Sequence, residues 1–160
     1  VPKSGDPPPA ADPVRALAGA WSIERVVRDL AHGRDAAFSG LARIAPDDGG
    51  DGLTWAEEGR LVTEGHAGPA RRTLRIVPAD GGWEVLFEDG RPFHPLDLDG
   101  GDCTVVHLCG RDRYDGTYRM AGDDTLFVRW RVTGPAKDLD IRSEYRRRDE
   151  IDAPVATDAR

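Results

Sequence analysis

The 160-residue chain reads as an all-β protein: a single antiparallel up-and-down β-barrel of about nine or ten strands behind one short N-terminal helix. Three observations predict it. From Trp21 onward, apolar residues recur at a period of two. Turn signals built from Gly, Asp and Pro return every 8 to 14 residues. No second helical pattern intervenes, and the long crossover loops of a β-sandwich are not evident.

The elements follow in order. Residues 1–12, "VPKSGDPPPAAD", are Pro-rich and are expected to be a disordered tail. In "DPVRALAGA", Asp12 is placed to cap a short helix and Pro13 to fill its first position, with Gly19 stopping it. Trp21, Ile23, Arg25 and Val27 then share one strand face. "AHGRD" turns the chain into Phe38, Gly40, Ala42 and Ile44, and "PDDGGDG" into Leu53, Trp55, Glu57, Gly59 and Leu61. Arg72, Leu74 and Ile76 follow, and after "ADGG" come Trp83, Val85 and Phe87. "EDGRP" leads to "FHPLDL", and then to "CTVVHLCG", which is apolar on both faces. "RDRYDG" precedes Tyr118 and Met120. Leu126, Val128, Trp130 and Val132 come next, and after "TGPAKD" the last inner face is Leu139, Ile141, Ser143 and Tyr145. The barrel is expected over residues 13–148, with a flexible tail at 149–160.

Composition narrows the function. Hydrophobic residues make up 39% and charged residues 32%, as in a soluble globular chain. No apolar run approaches the roughly 20 residues of a membrane helix, so no membrane partner is expected. A net charge of −7 argues against nucleic-acid binding, which needs a basic face. No leader pattern is evident, and Cys103 and Cys109 lie six residues apart, about 20 Å along one strand. They cannot bridge each other and read as reduced thiols, so a cytoplasmic location is expected. A homodimer is left open.

Gly19-Ala20-Trp21, after a short helix and at the start of the first strand, resembles the calycin barrels, the lipocalins and fatty-acid-binding proteins. That resemblance implies that Trp21 closes one barrel end and that a late Arg stacks on it; Arg142, Arg146 and Arg147 are the choices. A closer resemblance spans residues 17–147. "LAGAWSIER", "WAEEGRL", "FEDGRPFHPLDL", "HLCGRDRYDGTY" and "WRVTGPAKDLDIRSEYRR" are similar to a family of small bacterial proteins known as domain of unknown function 6314. It implies a calycin-like barrel and no particular activity. The short first hairpin leaves no room for the helical lid of the fatty-acid-binding pattern.

The inner faces carry an unusual polar set: Arg25, Glu57, Arg72, His107, Cys109, Tyr118, Ser143 and Tyr145. Unpaired charges there would be costly, so they imply a wet or ligand-filled cavity, or an Arg25–Glu57 bridge. The leading reading is a small-molecule-binding barrel for an acidic, partly apolar ligand, with Arg25 and Arg72 among Trp55, Trp83 and Trp130. The alternative is a cofactor-independent isomerase, cyclase or hydrolase. His107 or His94, both expected near a rim, would act as acid or base, with Asp112 and Tyr114 beside them. The competing role for Asp112 is turn capping. No cofactor is expected. His94, His107 and Cys109 lack metal-site spacing, no His follows His107 to ligate haem, and no G-x-S-x-G or P-loop is present. A structural module with a filled barrel is the third reading.

Overall fold

Alternation turns into ten antiparallel strands in the computed structural model, which describes residues 11–149. The strands are β1 (Gly19–Asp29), β2 (Arg34–Pro46), β3 (Leu53–Thr63), β4 (His66–Ala79), β5 (Gly82–Phe87), β6 (Pro92–Leu96), β7 (Asp102–Cys109), β8 (Asp112–Ala121), β9 (Thr125–Thr133) and β10 (Asp138–Arg148). Each strand pairs with the next in sequence except β6 with β7, and β1 also pairs with β10, so the sheet rolls into a nearly closed barrel. Among the described residues no helix is long and apolar enough to cross a membrane. The expected tails lie outside the described residues except for residues 11, 12 and 149.

The expected helix is a single 3-10 turn, Arg15–Leu17. Val14, not Asp12, is its N-cap and no side chain caps the turn; Asp12 Oδ1 accepts from the Val14 N–H at 2.9 Å, just ahead of it. Gly19 lies too close behind for a second turn. Its φ of 142° favours glycine, and a Cβ there would stand 2.8 Å from Arg147 Nη1.

This turn seals one pole. Val14, Leu17, Trp21, Ile23, Ile44, Leu53, Ile76, Leu96, Leu98 and Leu126 are buried together there. Trp21 Nε1 donates to the Leu17 carbonyl at 2.9 Å. Of the three arginines offered, Arg147 takes the stacking place, its guanidinium 4.2 Å from the Trp21 ring. It also donates to the Ala16, Ala18 and Asp123 carbonyls. One side chain thus ties the last strand to the plug and to the β8–β9 turn.

The wall has one seam. β6 and β7 stand at opposite ends of the strand order and form no ladder with each other. β6 is five residues long and contains Pro92 and Pro95, which lack the N–H that such a ladder needs. Between β5 and β6 the register shifts at Val85/Leu86: Val85 faces His94, and Leu86 faces Pro92. Phe93 is the extra residue, and the bulge lets it turn into the barrel beside His94.

Candidate functional site

The antiparallel register sets Glu57 directly opposite Arg72 on β4 and Ala42 on β2. Arg25 lies one strand further, opposite Phe38. Gly40 and Gly59 are cross-strand partners in the ground between them, so close that a Cβ on Gly59 would meet Gly40 Cα at 2.6 Å. The missing side chains let the Arg25 guanidinium cross β2 to reach Glu57.

The result is a polar layer across the barrel. Arg25 Nη2 donates to Glu57 Oε2 at 3.0 Å and Oε1 at 3.2 Å, and Arg72 Nη2 donates to Oε1 at 3.0 Å. The Tyr145 hydroxyl donates to Oε1 at 2.6 Å. Arg25 also donates from Nε to Ser143 Oγ at 2.7 Å and from Nη2 to the Tyr145 oxygen at 2.7 Å. Burial pushes the Glu57 carboxyl up, but Arg72, Arg25 and Tyr145 outweigh it and hold it below its ordinary value. Burial alone would lower Arg72; Glu57 raises it, so it stays charged. Two guanidiniums share one carboxylate, and the cluster keeps a net charge of +1.

On the other side of the layer, the His94 Nδ1–H donates to the Pro95 carbonyl at 2.7 Å, which leaves Nε2 to accept from the Tyr118 hydroxyl at 3.0 Å. Burial lowers the His94 pKa to about 4, so the ring is neutral near pH 7. Burial likewise raises Tyr118 and Tyr145, and both remain protonated donors.

Above this layer the two halves of the lumen differ. On the β1–β4 side a cavity of about 220 Å³ is lined by Arg25, Val27, Phe38, Glu57, Leu61 and Ala70, with Arg71 and Arg72 at its edge. On the other side Phe87 stacks on Phe93 at 4.5 Å and Phe93 on Trp130 at 5.0 Å. His107 packs edge-on against both Phe rings and against Tyr114. Trp130 lies on Gly116, where a Cβ would be 2.6 Å from the indole. A larger depression, about 380 Å³, lies over Ala20, Leu41, Arg43 and Thr73 on the outer face and also touches Trp21, Ala42 and Glu57.

Several expectations change. His94 is buried within the polar layer rather than placed at a rim, because it alternates inward with Leu96 and Leu98. Cys109 is exposed, since the wall ends at the β7–β8 turn. Asp112 accepts from Lys137 Nζ at 2.8 Å rather than from a histidine. Trp83 seals the closed pole, donating to Asp12 Oδ2 at 3.0 Å under the Arg15 guanidinium. Trp55 is buried edge-on to Tyr145. Arg25, Glu57, Arg72, Tyr118, Ser143 and Tyr145 come together as one layer. Phe38, Leu61 and Ala70 were not singled out as cavity walls. Their signal was present: Phe38 opposes Arg25, Leu61 opposes Phe38, and Ala70 is two residues from Arg72 on the same face.

This barrel is similar in fold to the S-type phycobiliprotein lyase CPES from Guillardia theta. The TM-score is 0.65 at 11% identity, covering 85% of this chain and 90% of that one. A redesigned β-barrel, mFAP1, bound to DFHBI, aligns more loosely, with a TM-score of 0.44 at 10% identity, covering 86% and 100% of the two chains. At such identities the likeness is one of fold. No curated protein matches the chain in sequence. The model of a family of unknown function, DUF6314, matches residues 17–147, and the chain belongs to that family.

Proposed function

We propose that this protein is a small-molecule-binding barrel for an acidic, partly apolar ligand. The acid group sits against Arg72 and Arg25, and the apolar body rests on Phe38, Val27, Leu61 and Ala70. One observation carries the reading: Glu57 lies between two guanidiniums, so a partly enclosed cavity holds one positive charge without a protein counter-ion. Leaving that charge uncompensated is unfavourable, and a bound anion removes the cost. Arg72 is the gripping residue. Its side chain is 42% exposed against 14% for Arg25. Arg25 already directs Nε and Nη2 at Ser143, Glu57 and Tyr145.

The fold likeness to a phycobiliprotein lyase keeps turnover in view. The hydrogen bonds that occupy His94 and the ion pair that occupies Asp112 favour binding over proton transfer by those two. Native mass spectrometry with a thermal-shift panel of aromatic and aliphatic acids tests the proposal. An upward shift is expected with acids and not with the matching amides; a panel without any shift sinks it. His107→Ala separates the readings, because binding survives that change and turnover does not.

A further inference from the structure

Resting on that reading, we infer that the ligand is a small monoanionic acid, about the size of benzoate or heptanoate, rather than a long-chain acid or a large multi-ring acid. The cavity is open on the side of Arg71 and Arg72, and its enclosed part sets how much of a ligand can be buried. Its 220 Å³ equals about seven water molecules at ~30 Å³ each. That space cannot extend toward β5–β9, because the Phe87–Phe93–Trp130 stack occupies the lumen there, and Trp130 is held against Gly116. It cannot extend downward either. Tyr145, Tyr118 and His94 are buried and joined to their neighbours by hydrogen bonds, and the apolar core fills the space beneath them.

The charge sets the valence. Arg25, Arg72 and Glu57 sum to +1, and the neutral His94 adds nothing. Arg71 reaches the cavity edge, but its cross-strand partner is Glu58 on the outer face. One negative charge therefore completes the site, and a second on the same head group faces Glu57 across the guanidiniums.

Calorimetry with butyrate, hexanoate, octanoate and dodecanoate, and with benzoate against phenyl phosphate, tests this. Affinity should rise about fourfold per methylene, which is ~0.8 kcal/mol, and level off near octanoate. Benzoate should bind more tightly than phenyl phosphate, which has the same ring and a head group with nearly two charges. Arg72→Gln should weaken benzoate at least tenfold while the circular dichroism spectrum stays that of the parent. Affinity still climbing at dodecanoate overturns the size limit, and phenyl phosphate binding more tightly overturns the valence. In either case acid binding itself stands. No binding by any of these acids overturns the proposed function as well. Benzoate binding unchanged in Arg72→Gln would place the acid elsewhere and overturn the inference.

Discussion

Two arginine–carboxylate–arginine clusters stand on opposite faces of the same sheet. Inside, Arg25 and Arg72 share Glu57. Outside, Arg129 and Arg142 share Asp140, with nitrogen–oxygen distances of 3.0 to 3.3 Å. The charges are identical, and both carboxylates are held below their ordinary values against a burial that raises them. What differs is the surroundings of the arginines. Arg129 and Arg142 are 51% and 65% exposed, so water screens them and their excess charge costs little. Inside, Arg25 is enclosed and met by Glu57, while Arg72, at 42%, stands part-exposed at the cavity. The same constellation thus stands in two settings, one with a carboxylate that is 1% exposed beside an enclosed Arg25 and one with both arginines open to water.

The largest expected effect tests that contrast directly. Glu57→Gln leaves the enclosed Arg25 without its carboxylate and should cost about 3 kcal/mol. Asp140→Asn should cost about 1 kcal/mol or less. Urea unfolding at pH 7 measures both, with the slope unchanged if only stability has moved. Equal costs would mean that the lumen screens charge as well as the surface does.

The second effect sharpens the inner side with pH. His94 has a folded pKa of about 4 and an ordinary value of 6.5. Between these values the unfolded chain binds the extra proton, so stability falls as pH drops from 6.5 toward 4. By pH 5 the loss should be about 2 kcal/mol relative to pH 7. Glu57, held below its ordinary 4.5, adds its own loss only at lower pH. In His94→Gln the slope between pH 6.5 and 5 should largely vanish. A slope that survives this change would assign the acid sensitivity to other groups.

How much of this contrast could be read in the sequence differs by residue. Strand parity placed Arg25, Glu57 and Arg72 on inner faces, because period two leaves no freedom once Trp21, Trp55 and Leu74 are taken as core. The same parity was enough to choose Arg147 over Arg142 and Arg146, since only Arg147 shares a face with Tyr145 and pairs with Trp21. His94 was open to it as well, through Leu96 and Leu98. Phe93 escaped it. A bulge there breaks the alternation of β6, and nothing in "RPFHPLDL" marks that extra residue. Cys109 failed for the opposite reason: alternation continues to the end of β7, but the wall around it stops. The seam was half legible, because Pro92 and Pro95 rule out a central strand without saying which neighbour is lost. The division of the lumen into a filled half and an open half was out of reach. It depends on Trp130 lying down on Gly116, a contact between side-chain volumes rather than a pattern along the chain.

The third effect separates binding from stability within the inner cluster. Arg72→Gln leaves Glu57 with Arg25 and Tyr145, so it should cost only about 1 kcal/mol of stability while weakening acid binding at least tenfold. Arg142→Gln on the outer face should leave acid binding unchanged. Thermal unfolding and calorimetry on the same two variants provide the comparison. A matched loss of binding in both would trace affinity to long-range charge rather than to the cavity.

The smallest effect is in the salt dependence. At 1 M salt the screening length is about 3 Å, shorter than the reach of most surface charge interactions. The outer cluster should then contribute almost nothing, and Asp140→Asn should become indistinguishable from the parent, a change of a few tenths of a kcal/mol. The inner bridge lies largely beyond the reach of mobile ions, because its carboxylate is only 1% exposed and Arg25 is enclosed. Glu57→Gln should therefore cost nearly as much at 1 M as at 0.1 M salt. Urea titrations at the two salt concentrations supply all four numbers. If salt erased the Glu57 cost as well, ions would be reaching the polar layer. The cavity would then be an open well whose charge needs no ligand to balance it.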